Sequence, residues 1–241
     1  MSKITWLFDL DNTLHNASHA IFPAINVNMN AYITKVLSDA GAPSTVDAVN
    51  AARLAYWRRY GATLLGMVKH HQVRPEDFLR EAHRFDNLAG MIRAERGLGR
   101  MLRRLPGRKI LLTNAPRRYA HDVLRHLGLH RHFARHVPIE LMTVHRQLRP
   151  KPSRQLLRKL VAKERAAARR CVLVEDTVAN LKGAKAIGMR TVLVTQYLAT
   201  SPNLQQPPNA ATAFKDSKNP AYVDVKVKSV LHLPGHLHRL R

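Results

Sequence analysis

The chain has 241 residues, enough for one large domain or a core with an insert, and its 45% apolar and 23% charged residues describe a folded globular protein, not a disordered one. Forty Lys and Arg against 16 Asp and Glu leave a formal net charge of +24, while the single cysteine, Cys171, excludes an intrachain disulfide and a multi-thiolate zinc site. No run approaches the ~20 apolar residues of a membrane span and the apolar stretch before Asp9 is too short for a signal-peptide core, so a cytoplasmic protein is expected.

In chain order, Ile4-Thr-Trp-Leu-Phe8 is a continuous apolar run that ends abruptly in two carboxylates, the pattern of a buried parallel strand opening onto a site. About ninety residues follow before the next such run. Apolar residues recur at helical spacing in Ile25–Leu37 and Ala48–Tyr60, punctuated by Gly41, Gly61 and Pro75. An insert this long is no loop: residues 17–90 are expected to form an α-helical cap, with 1–16 and 91–241 making the core. Three further runs repeat the first. Lys109-Ile-Leu-Leu-Thr113 ends at Asn114, Cys171-Val-Leu-Val174 ends at Glu175-Asp176-Thr177, and Thr191-Val-Leu-Val194 ends at Thr195-Gln196. Helical stretches, Arg117–Leu127 and Val178–Ile187, alternate with them. This predicts an α/β fold with a doubly wound parallel sheet. A loop is expected over 198–219, a last edge strand over Tyr222–Val227, and a solvated basic tail over His232–Arg241.

In an open parallel sheet, residues just beyond the strand ends converge on one crevice. Asp9, Asp11, Thr113, Glu175 and Asp176 all occupy such positions. Two carboxylates two residues apart repel and invite a divalent cation; Mg²⁺ takes hard oxygens from one or two carboxylates, and Asp176 would be the third acid. One carboxylate could then attack phosphorus while the other moves a proton. Alone, Asp11-Asn12 could equally cap a turn. Lys151 sits among Arg149, Arg154 and Arg158, where a lysine is ordinarily solvated surface.

The positive charge is concentrated. From Arg93 to Arg170 there are 22 Lys and Arg against four acids, Glu95, Asp122, Glu140 and Glu164. Such a surface attracts phosphorylated metabolites and nucleic acid alike. No finger-type Cys/His spacing, RNA-stacking signature or basic dimer helix accompanies it, so nucleic acid would bind only through a non-specific basic surface.

Asp9-x-Asp11-x-Thr13 after one strand, Thr113-Asn114 after another, Lys151-Pro152 in a connection and Glu175-Asp176 after a third together resemble the haloacid dehalogenase-like superfamily, in the expected order over nearly the whole chain. The resemblance implies a Rossmann-like core and a phosphohydrolase in which Asp9 is the nucleophile. Asp11 would be the general acid and base, with its main-chain carbonyl on the metal. Asp9 and Asp176 would complete the protein's Mg²⁺ ligands, Thr113 and the Asn114 N–H would hold phosphate oxygens, and Lys151 would offset their charge. Dehalogenating members lack the second acid, so Asp11 points to phosphate chemistry.

Within the cap, Tyr56-Trp-Arg-Arg-Tyr60-Gly61-Ala-Thr63-Leu64-Leu-Gly66 is similar to the signature of the pyrimidine 5′-nucleotidase subfamily, as is Glu175-Asp176-Thr177 with Asn180. Ala62 departs from it, standing where a hydroxyl-bearing residue is expected. The similarity implies a nucleoside monophosphate as the substrate. Tyr60 is the candidate for contact with the base and Trp57 belongs to the cap's own packing. His70 and His71, being adjacent, point to different helix faces and are assigned no ligand role. Rival readings are a phosphatase for phosphoglycolate or a sugar phosphate, and a basic anion-binding protein without turnover.

Overall fold

A computed structural model describes residues 4–198 and 220–240. Within them the chain divides into two compact units, residues 19–91 forming one and the remaining described residues the other. All but the first residue of the loop expected over 198–219 lies outside the described residues. No helix among the described residues is long and apolar enough to cross a membrane.

Strand β1 (Thr5–Phe8) opens the larger unit, and five helices of the smaller one follow: α1 (Ile21–Asp39), α2 (Val46–Tyr60), α3 (Thr63–His71), α4 (Pro75–Ala82) and α5 (Leu88–Met91). The larger unit resumes with α6 (Leu98–Arg104), β2 (Arg108–Leu112), α7 (Arg117–His126), β3 (Arg135–Val137) and a hairpin of β4 (Thr143–Val144) and β5 (Gln147–Leu148). It ends with α8 (Arg154–Lys163), β6 (Cys171–Glu175), α9 (Val178–Lys185), β7 (Arg190–Val194) and β8 (Val225–Val227), followed by a 3₁₀ segment over Val230–Arg239.

The main sheet runs β3-β2-β1-β6-β7-β8, every neighbouring pair parallel. From β1 the chain builds outward through β2 to β3, then returns to the other side of β1 and builds through β6 and β7 to β8. That reversal makes the winding double, and ligands in such sheets lie outside the strand carboxyl ends where it occurs. β1 is therefore buried on both faces. Leu7, opposite Ile110 and Leu173, packs with Leu156 and Leu160 of α8 and Leu181 of α9. Trp6 and Phe8 take the other face; the Trp6 indole donates to Pro106 O at 2.8 Å and Phe8 meets Phe133 edge-on. Each such side chain contributes about 1.5–3 kcal/mol through burial.

Local chemistry sets the ends of elements. Ser153 caps α8, its hydroxyl accepting from Leu156 N at 3.3 Å. The β4–β5 turn puts His145 and Arg146 at positive φ, 49° and 62°, the conformation of a tight hairpin. At the far edge, the Asp224 carboxylate accepts from Thr191 N (2.9 Å), Thr191 Oγ1 (3.0 Å) and Lys185 Nζ (2.5 Å), tying the approach to β8 onto β7 and α9.

Two features depart from the sequence reading. β3 and the hairpin carry no apolar run and were not expected. The basic tail is only partly solvated: His232, His238 and Arg239 are exposed, but Leu233 and Leu240 are buried, as is Val230 just before them, and the 3₁₀ segment packs on α6 with the Ser229 hydroxyl donating to Glu95. Its histidines and arginines hid two apolar anchors.

In the smaller unit, Thr45 caps α2, Gly61 ends it at φ 80° and Pro75 opens α4. Buried Arg53 donates to Asn26 at 3.0 Å. α2 and α3 pack closely: a Cβ on Gly66 would stand 2.2 Å from Tyr56 Cγ.

Candidate active site

Asp9 leaves the end of β1, its N–H bonded to Val174 O of β6 at 3.0 Å, so the two central strands fix its backbone. Glu175 closes β6 and Asp176 follows it. All three acids are buried, and among the described residues they bring carboxylate oxygens to within 4.8 Å of one another. Lys151, only 3% exposed, reaches this cluster from the loop before α8, donating to Asp9 Oδ1 at 2.6 Å and Glu175 Oε2 at 2.7 Å. Its arginine neighbours are on the surface; it is not.

The Lys151 loop is held by the end of β2. Asn114 Nδ2 donates to Lys151 O at 3.1 Å and Lys151 N donates to Asn114 Oδ1 at 3.0 Å. Thr113, beside it, is buried, its hydroxyl accepting from Ala115 N at 3.1 Å. From the other side α9 presents Gly183 to the loop, where a Cβ would stand 2.6 Å from Pro152 O. Glu175 is committed twice, to Lys151 and, through Oε1, to Thr177 N at 3.2 Å. Thr177 Oγ1 donates to Asp176 Oδ1 at 3.1 Å.

Asp11 lies beyond the turn after β1. Asn12 takes φ 57°, a left-handed conformation that Asn tolerates, and its amide makes two bonds to Ser18, closing the loop. The turn role open to Asp11-Asn12 thus falls to Asn12. The Asp11 carboxylate accepts from the Tyr119 phenol (2.5 Å) and pairs with His15 Nε2 (2.9 Å).

Three buried carboxylates share one ammonium, and their proton affinities reflect it. Burial, then the charges of Glu175 and Asp11, push Asp9 up to about 8 against the pull of Lys151. Burial and the charges of Glu175 and Asp9 raise Asp176 well above its ordinary value. Burial works on Glu175 too, but the Lys151 charge and its hydrogen bonds outweigh it and hold Glu175 low. Lys151 is raised: burial disfavours its charge, and the two carboxylates it touches more than compensate. Burial and the Asp11 charge raise Tyr119 well above an ordinary phenol, so it remains a donor. A hard oxygen donor set with surplus negative charge fits a divalent cation.

The structure thus brings together Asp9, Lys151 and Asp176, with Thr113 and Asn114 at the adjoining strand end and Asp11 on the following turn. Tyr60 belongs to the smaller unit, where its hydroxyl pairs with His70 Nε2 at 2.6 Å; Tyr56 pairs with His71 Nε2 at 2.7 Å. The hydrogen bonds of the two histidines go to separate tyrosines, but both rings pack on Tyr56, His70 stacked at 5.3 Å and His71 edge-on at 5.8 Å. Sequence reasoning passed over His15 and Tyr119. Tyr119 carries no local signal, since it meets Asp11 from 108 residues away, whereas His15, four residues after Asp11, was within reach of a local reading.

The family model for haloacid dehalogenase-like hydrolases matches residues 5–188, and the chain belongs to that family. Solved structures agree on the fold. A haloacid dehalogenase-superfamily phosphatase from Thermococcus onnurineus is 15% identical, with 98% of each chain covered and a TM-score of 0.60. A haloacid dehalogenase-like protein of unknown function from Agrobacterium tumefaciens is 20% identical, covers 97% of each chain and has a TM-score of 0.57. A predicted phosphoglycolate phosphatase from Haemophilus somnus is 17% identical, also with 97% of each chain covered and a TM-score of 0.57.

Proposed function

We propose that this hydrolase cleaves phosphate monoesters through a phosphoaspartyl intermediate on Asp9, with Mg²⁺, and that its substrates are pyrimidine nucleoside 5′-monophosphates in the cytoplasm. The observation that carries the reading is the buried Asp9–Lys151–Glu175 ion network beside Asp176. An aspartate pinned by a lysine at a strand end is a nucleophile whose approach is fixed and whose charge is offset.

Asp9 Oδ forms a bond to phosphorus as the ester P–O bond breaks, and the Asp11 carboxyl gives its proton to the leaving oxygen. Water then attacks the phosphorus, Asp11 takes its proton, and the bond between Asp9 and phosphorus breaks to release phosphate. The Thr113 hydroxyl and Asn114 N–H hold phosphate oxygens where negative charge develops, and Lys151 neutralises part of it. The Asp9 and Asp176 carboxylates and the Asp11 main-chain carbonyl would hold Mg²⁺, which when bound supplies Lewis-acid neutralisation of the phosphoryl group. Glu175, engaged by Lys151 and Thr177, orients the lysine. Residues 19–91 serve as the cap, with Tyr60 as its base-contacting residue.

The test is phosphate release from UMP, CMP, dUMP, AMP, phosphoglycolate and glucose phosphates, with Mg²⁺ or EDTA. Preferential Mg²⁺-dependent turnover of UMP or CMP, falling at least about 10³-fold in Asp9→Asn, is expected. Preference for phosphoglycolate or a sugar phosphate would remove the nucleotidase assignment and keep the mechanism. No turnover of any ester by the folded, Mg²⁺-supplied protein would overturn both.

A further inference from the structure

The Asp11 carboxylate stands in an unusually determined place. Oδ1 receives the Tyr119 phenol at 2.5 Å and His15 Nε2 at 2.9 Å, from α7 and from the turn that carries Asp11 itself. Tyr119 is 2% exposed and His15 fully buried, whereas the Asp11 side chain keeps 14% exposure. Oδ1 accepts whether Asp11 is ionised or carries its proton on Oδ2, so Nε2 carries the hydrogen. In the neutral ring Nδ1 is then a bare acceptor, consistent with its having no partner among the described residues. The torsion that rotates an aspartate carboxylate is broad, with no sharp rotamer to fix it. A group that must aim a proton needs another constraint, and two donors on one oxygen provide it.

We propose that Tyr119 and His15 are positioning residues for Asp11, fixing the plane of its carboxyl group so that its proton meets the leaving ester oxygen. This rests on the role given to Asp11 above. If Asp11 only shaped the turn, Asn12 and its paired bonds to Ser18 would suffice, and a buried phenol from α7 would have no task there.

The experiment compares phenyl phosphate with p-nitrophenyl phosphate, esters of similar size whose leaving groups differ in their need for a proton. kcat/KM is read because it reports steps up to release of the phenol. General acid catalysis is worth about 10²–10⁴-fold, and losing one of two aiming contacts should forfeit about tenfold of it. Tyr119→Phe is expected to lower kcat/KM for phenyl phosphate by about tenfold, and for p-nitrophenyl phosphate by less than about threefold. His15→Leu should give the same split, and His15→Gln, whose amide can still donate to Oδ1, should recover most of the loss. Asp11→Asn provides the full-sized split as reference.

Equal losses on both esters, or no loss on either, would overturn the positioning role. Thermal melts of each variant separate unfolding from misaiming, and should Tyr119→Phe not fold, the His15→Leu and His15→Gln pair decides. Wild-type protein that turns over neither ester would sink the phosphatase reading itself. Active wild type with equal losses in the variants would sink only this inference.

Discussion

Burial raises the proton affinity of Asp9 even beside Lys151, and this has a thermodynamic consequence. With its folded pKa at about 8 and its unfolded value near 3.8, the folded chain binds the proton more tightly. Stability without a cation is therefore greatest at low pH and falls as the pH rises from about 4 to about 8. In EDTA, the melting temperature of wild type should decline across that window, and Asp9→Asn should lessen the decline, Asp176 keeping part of it, and melt above wild type at pH 8. Parallel profiles would contradict this. Mg²⁺ should raise the wild-type melting temperature, more at pH 8 than at pH 6 because fewer protons must be displaced, and should do little for Asp9→Asn.

At the level of elements, the site depends on how closely α9 approaches the Lys151 loop. Gly183→Ala would place a methyl 2.6 Å from Pro152 O, a backbone atom that cannot swing aside, so the loop or the helix must move. Overpacking of this kind costs about 1–3 kcal/mol, and the displaced lysine should cost activity beyond what the lost stability explains. Gly235→Ala, with open space around it, is the neutral control. A second dependence lies at the sheet edge. Burial would raise Asp224, but its bonds from Lys185 and Thr191 outweigh that and depress its pKa. Its stabilisation is thus present above the unfolded value of 3.8 and lost as the pH falls through the folded one. Asp224→Asn should lower the melting temperature at pH 7, with the gap to wild type closing toward pH 3. The elements were unevenly legible in the sequence. Strands β1, β2, β6 and β7 announce themselves because burial on both faces demands an unbroken apolar run. β3, three residues of Arg-His-Val at an edge, has no such demand on it. The aspartates and Lys151 were readable from order along the chain, but the contact of Tyr119 with Asp11 is made by the fold, and the packing of the 3₁₀ tail was missed because charge was weighed above Leu233 and Leu240.

Across the whole molecule a net charge of +24 works against compactness through self-repulsion, which salt relieves. Raising NaCl from ~20 mM to ~150 mM shortens the screening length to about 8 Å and should raise the melting temperature. Binding of single-stranded or duplex nucleic acid should weaken linearly in log salt, irrespective of sequence and unchanged by Asp9→Asn. A sequence preference that survives high salt would contradict the non-specific reading of the surface. The sheet order carries a different consequence, one of timing. β1 lies at the centre of the sheet, Leu7 facing Ile110 on one side and Leu173 on the other. Synthesis at about 5–20 residues per second therefore leaves the first strand made waiting roughly ten to thirty seconds for its last neighbour. For that interval Trp6, Leu7 and Phe8 are apolar side chains without their final enclosure, so the nascent chain is exposed to aggregation through a segment that ends up almost wholly buried.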